Sequence, residues 1–174
     1  MARRQVVVTV LLAGIAGWIT VAGPRAAHAI DAADVATLRA AIAASNANST
    51  DDVIVLTGGS TYSMAGAGLC GKLSVAGPGT TTTITTNGGG RATLDGTGCG
   101  DVVFDLAAGA VVVLEHLVVT GGGPNSGGPG GGIRSAATLT IRDSIITGNH
   151  ATSGSSGADA GPDDPLVALS LIHI

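Results

Sequence analysis

The sequence predicts an all-β fold, a parallel β-helix with one α-helix capping its N-terminal end. Three observations lead there. Glycine supplies 29 of the 174 residues while charged residues make up only 11%, a composition rich in turn formers and poor in polar surface. That glycine carries no Gly-X-Y period, which excludes collagen, and a hydrophobic content of 45% excludes a disordered chain. From Val53 onward, short apolar runs are separated by Gly, Asn or Asp, the pattern of short strands joined by tight turns. The third observation is an internal repeat. Val112-Val113-Leu114-Glu115-His116-Leu117-Val118-Val119-Thr120-Gly121 returns as Leu139-Thr140-Ile141-Arg142-Asp143-Ser144-Ile145-Ile146-Thr147-Gly148, at a constant offset of 27 residues.

The repeat decides the architecture. Val112 and Leu114 match Leu139 and Ile141 as inward positions, and Val119 matches Ile146. Glu115-His116 matches Arg142-Asp143 at a corner where polar groups face water. One coil of a parallel β-helix needs a unit of this size, because each coil hydrogen-bonds to the next and like positions stack about 4.8 Å apart. A propeller blade needs roughly 40–45 residues and hairpin turns, and it is set aside.

Residues 1–29 read as an export signal. Arg3 and Arg4 give a positive start, Val6 to Ala22 is apolar, and Pro24 breaks the run. Ala27-His28-Ala29 supplies the small-x-small site of a signal peptidase, so cleavage after Ala29 leaves Ile30 as the new N-terminus. The alternative is an uncleaved anchor, since a spanning helix needs roughly 17–25 apolar residues. Gln5-Val6 continues the paired arginines poorly for the twin-arginine route, so general secretion is expected. Without Arg3, Arg4 and Arg25, five bases remain against twelve acids, a net charge of −7. No basic run survives to meet phosphates, which argues against nucleic-acid binding.

Residues 31–50 are expected to form the capping helix and its turn. Asp34 caps a helix to Asn48, and Val35, Leu38 and Ile42 fall on one face. Leu38 and Ile42 are expected against Val53 and Leu56. The coils follow over 53–150. Their strands are read at Val53–Leu56, Leu73–Val75, Thr82–Thr85, Ala92–Leu94, Val102–Phe104, Val111–Leu114, Leu117–Thr120, Thr138–Ile141 and Ser144–Thr147.

The block Gly130-Gly131-Gly132-Ile133-Arg134-Ser135, followed by Leu139 to Asn149, resembles the right-handed parallel β-helix repeats of bacterial surface proteins, the polymorphic outer membrane proteins among them. Thr37-Leu38-Arg39-Ala40-Ala41-Ile42 resembles part of the Cys-Ser-Leu-Arg-Glu-Ala-Ile signature of that group, with Ala36 in place of Cys and Ala40 in place of Glu. The resemblance implies a right-handed, pectate-lyase-like solenoid, secreted or at the cell surface, with a structural or adhesion role. It implies no cofactor. Its partner would be a polysaccharide or a host or cell-surface ligand. Membrane contact would come only through the export signal or a missing C-terminal anchor. Residues 151–165 read as a flexible Gly/Ser/Asp/Pro linker. Leu169-Ser170-Leu171-Ile172-His173-Ile174, within an apolar stretch 166–174, resembles a translated sequencing adapter, so that stretch is read as a non-native tail on a truncated chain.

The fold also hosts pectate lyases and polygalacturonases, which place acids and a base on one strand face. Asp95, Asp101 and Asp105 are the candidate binding residues here. Asp101 and Asp105 share a face if that stretch is extended, with Arg91 or Arg134 as the base. No Asn-Thr-Asp or Gly-His-Gly string accompanies them, and Tyr62 and Phe104 are the sole aromatics after the leader, so no catalytic residue is assigned. His28, His116, His150 and His173 offer no pair at metal-ligand spacing. Gly66-Ala67-Gly68-Leu69-Cys70-Gly71 matches a dinucleotide-type glycine pattern, but strand follows where a phosphate site needs a helix. His116, Asp143 and Ser144 suggest a hydrolase triad only on paper, because no nucleophile elbow surrounds Ser144. Finally, Cys70 and Cys99 are 29 residues apart, within two of the coil length, which stacks them on neighbouring coils. A disulfide is expected in an oxidising compartment.

Overall fold

The computed structural model describes residues 27–77, 79–123 and 131–150. The arginines and apolar run of the leader, residues 124–130, the linker and the tail lie outside the described residues. All strand pairs in the described chain are parallel, and they form three sheets wound as a β-helix.

The first sheet holds five strands in the order β1 (His28–Ala32), β2 (Asp52–Leu56), β5 (Thr81–Thr86), β8 (Val111–Glu115) and β11 (Thr138–Arg142). The second stacks β3 (Thr61–Ser63), β6 (Ala92–Asp95), β9 (Leu117–Thr120) and β12 (Ile145–Ile146). The third stacks β4 (Leu73–Val75), β7 (Phe104–Leu106) and β10 (Ile133–Ser135). Three complete coils result, β2-β3-β4, β5-β6-β7 and β8-β9-β10, with β1 before them and β11-β12 after.

Register follows from alternation. Asp52 stands beside Thr82, Thr82 beside Val112 and Val112 beside Leu139, so one inward column runs through four strands, β2, β5, β8 and β11. Ile54, Ile84 and Leu114 form the next column, each fully buried. A slip of one residue would turn every such column out to water, which is why the hydrophobic pattern fixes the pairing. The 27-residue offset seen in the sequence is the register of β8 on β11 and of β9 on β12. Earlier coils are longer, as Asp52 against Thr82 and Thr61 against Thr93 show. Their corners hold the extra residues, where Gly58 approaches Gly88 so closely that a Cβ would sit 1.6 Å from the Gly88 carbonyl oxygen. In the later coils a single left-handed residue makes the corner instead, His116 at φ 55° and Asp143 at φ 46°.

The helix α1 spans Val35–Ala47. Asp34 and Thr37 close a reciprocal capping box: Asp34 Oδ1 accepts from the Thr37 amide at 2.7 Å, and Thr37 Oγ1 accepts from the Asp34 amide at 3.0 Å. Val35, Leu38, Ala41 and Ile42 are buried against the end of the stack, where α1 packs on β1, β2 and β4. One expectation needs correcting. Val53 is not beneath the helix, because Asp52, Ile54 and Leu56 take the inward positions of β2 and Val53 faces outward.

Two more differences have local causes. β7 begins at Phe104 rather than Val102, although Val102 and Val103 are both buried. The chain therefore enters the third sheet only after an apolar bend. β1 forms where no strand was expected, because the edge of β2 offers hydrogen bonds that an alanine-rich segment accepts whatever its propensity.

Candidate functional site

The outer face of the third sheet carries a cluster of charge, Lys72, Asp105 and Arg134. Phe104 and Leu106 turn inward, so Asp105 between them must point out. Register then places Ser74 on one side of it and Arg134 on the other. Arg134 grips the carboxylate with two hydrogen bonds, Nε to Oδ1 at 2.8 Å and a terminal nitrogen to Oδ2 at 2.7 Å. Lys72, just before β4, pairs with Oδ2 from the neighbouring coil. The Arg134 hydrogen bonds, with Lys72 behind them, hold the Asp105 carboxyl well below the usual carboxylate range, despite partial burial pulling the other way. Arg134 is correspondingly raised, first by Asp105 and more weakly by the charge of Asp101.

Of the three acids singled out in the sequence, the fold pairs Asp105 with Arg134, leaves Asp101 to act on that arginine by charge alone, and puts Asp95 elsewhere. Asp101 precedes β7 in a bend, so the two do not share an extended strand, and its Oδ1 accepts from the Val102 amide at 2.8 Å. Asp95 ends β6 on the second sheet, where its Oδ1 accepts from the Thr97 amide at 2.9 Å and closes a turn. Arg91 donates from Nε to the Asp143 carbonyl at 2.6 Å and braces a corner. With both carboxylate oxygens occupied by cations, Asp105 is poorly placed to take a proton or bind a cation. The outer edges of Lys72 and Arg134, 37% and 41% exposed, are the groups left to meet a ligand.

No protein-family model, curated protein or solved structure matches this chain.

The remaining candidates resolve into packing. Ser144 is buried, accepts from the Leu117 amide at 3.0 Å and donates to the Arg142 carbonyl at 2.8 Å, while His116 faces Asp143 across 3.9 Å. Asn149 spends its amide between its own turn and the preceding coil, accepting from the Gly122 amide and donating to the Val119 and Thr147 carbonyls. Tyr62 and Phe104 are both in the core, and the Tyr62 hydroxyl donates to the Ala32 carbonyl at 2.6 Å, so neither ring is a platform for a sugar. Residues Gly66 to Gly71 run into β4 rather than a helix. Among the described residues no group of three or more His, Cys, Asp or Glu is placed to hold a metal ion, and no helix is long and apolar enough to cross a membrane.

Cys70 and Cys99 are joined by a disulfide with their Cα atoms 5.0 Å apart, linking the first coil to the second. Ala27, Ala29 and Ile30, read as the cleavage site, lie in and just before β1; a cut after Ala29 would leave Ile30 to Ala32 paired with Ile54 to Leu56. Sequence reasoning missed two participants. Lys72 has no motif and reaches Asp105 only because neighbouring coils stack. Arg39 donates to the carbonyls of Lys72 at 3.0 Å and Leu69 at 2.9 Å, and also to that of Gly71. Carbonyl acceptors leave no signature in a sequence.

Proposed function

We propose that this chain is an exported β-helix module, secreted or held at the cell surface, with a structural or adhesive role and no catalysis of its own. The observation that carries the reading is the state of Asp105. The best-placed acid is bound on both oxygens by Arg134 and Lys72, as a strut between coils rather than as a free base. Support for export comes from the Ala27-His28-Ala29 site after an apolar run and from a disulfide of the kind that persists in oxidising compartments. The resemblance to bacterial surface β-helix repeats supports a polysaccharide or cell-surface ligand.

A second reading, a pectate-lyase-like enzyme, rests on Asp105 held at Arg134 with the charge of Asp101 nearby. Two measurements on the full chain expressed in a bacterium test the proposal. The extracytoplasmic protein should begin at Ile30 and show no rise in product absorbance with polygalacturonate and calcium. Turnover that Asp101→Ala abolishes would establish the enzyme and end the structural reading. Retention of the leader would end the cleavage claim.

A further inference from the structure

We infer that the Cys70–Cys99 disulfide is a redox latch on the N-terminal cap. Arg39 projects from α1 and is held by backbone carbonyls rather than by a carboxylate, those of Leu69, Gly71 and Lys72. Cys70 lies inside that set, between two of the acceptors. The loop before it is Ala65-Gly66-Ala67-Gly68, which carries little side-chain packing and much conformational freedom. Local turns, such as the Leu69 amide to the Met64 carbonyl at 2.9 Å, close that loop as far as Leu69. Beyond Leu69, the bond to Cys99 is the covalent tie to the next coil, joined by the side-chain pair of Lys72 with Asp105, until the Leu73 amide rejoins the ladder at the Val103 carbonyl, 2.8 Å away. The disulfide thus positions the acceptors, and the acceptors seat the guanidinium.

What the latch holds shut is a sheet edge as well as an apolar end. Asn46, the last residue but one of α1, places its side-chain amide where a strand would place a peptide. It donates to the Ser74 carbonyl at 2.9 Å and accepts from the Ala76 amide at 2.8 Å, covering the free edge of β4. Leu38 and Ile42 lie over the end of the core. A released helix therefore opens the β4 edge to pairing with another chain.

The reductant is a dithiol, and Cys70 is the exposed partner that it reaches. One thiolate attacks the Cys70 sulfur, breaks the S–S bond and releases Cys99 as a thiolate. The second thiolate of the reductant then closes its own disulfide and releases Cys70. Two electrons pass from the dithiol to the protein, and both cysteines take up protons from the medium.

Hydrogen exchange on the oxidised full chain tests the latch, with and without dithiothreitol, opening of the bond being verified by alkylation of both cysteines. Reduction should speed exchange across 35–47 by about tenfold or more, the effect of losing one charged hydrogen bond. Residues 111–120, in β8 and β9, should exchange as before. In oxidised Arg39→Met the helix should already exchange fast, and reduction should add little. Three results overturn the inference: a helix indifferent to reduction, equal acceleration in β8 and β9, or effects of reduction and Arg39→Met that multiply independently.

Discussion

Asp105 shows how a single outward residue acquires a role from its neighbours in space. Its position on β7 is set by Phe104 and Leu106, and its partners by the register of β10 and by the loop before β4. Because the folded pKa lies below the unfolded value of about 3.9, the stabilisation from this cluster is complete above that pH. It is lost as the pH falls from there through the folded pKa, since the unfolded chain then binds a proton that the folded chain does not. Both cations are more than a third exposed, so solvent screening keeps the contribution small, about 1 kcal/mol. Asp105→Asn should accordingly be less stable than wild type by about that amount at pH 7. The gap should narrow steadily below about pH 4. Urea unfolding at a series of pH values measures it, and a gap that stays constant down to pH 3 would contradict the pairing.

At the scale of elements, α1 is the piece whose burial can be broken by one substitution. Leu38 is 0% exposed, and an aspartate there combines a lost side chain with an unpaired charge in an apolar site. Leu38→Asp should cost about 4 kcal/mol or more and promote association through the uncovered β4 edge. A variant as soluble and as thermally stable as wild type would remove α1 from the role of a cap. This helix was legible in the sequence because its capping residue, its apolar spacing and its turn formers all agree. The paired strands β8, β9, β11 and β12 were legible for a different reason, since stacking forces like residues into like positions and so writes a repeat. β1, β3 and β10 were not. His28–Ala32 and Thr61–Ser63 lack an apolar alternation of their own, and the edge of a neighbouring strand decides their conformation. The charged cluster was half legible: Asp101, Asp105 and Arg134 were named, but the spacing along the chain gave no sign of Lys72, which the coil below contributes.

For the whole molecule, a β-helix is close to one-dimensional, so each coil is stabilised chiefly by the coils it touches. Its two described ends differ. At one end α1 buries Leu38 and Ile42 over β1, β2 and β4. At the other, Leu139 and Ile141 of β11, Ile133 of β10 and Ile146 of β12 point the same way as the core columns but stay partly exposed. Val112 and Leu114, one coil below, are fully buried. Opening should therefore start at β11 and β12 and travel toward the cap. Truncating the same inward column at two heights checks this. Leu114→Ala removes a side chain packed on all sides and should cost about 3 kcal/mol, whereas Ile141→Ala should cost about 1 kcal/mol. Native-state hydrogen exchange should rank the amides the same way, fastest in β11 and β12 and slowest in β5, β6, β8 and β9. Equal costs for the two substitutions, together with uniform exchange along the stack, would mean that the described coils unfold as one cooperative block.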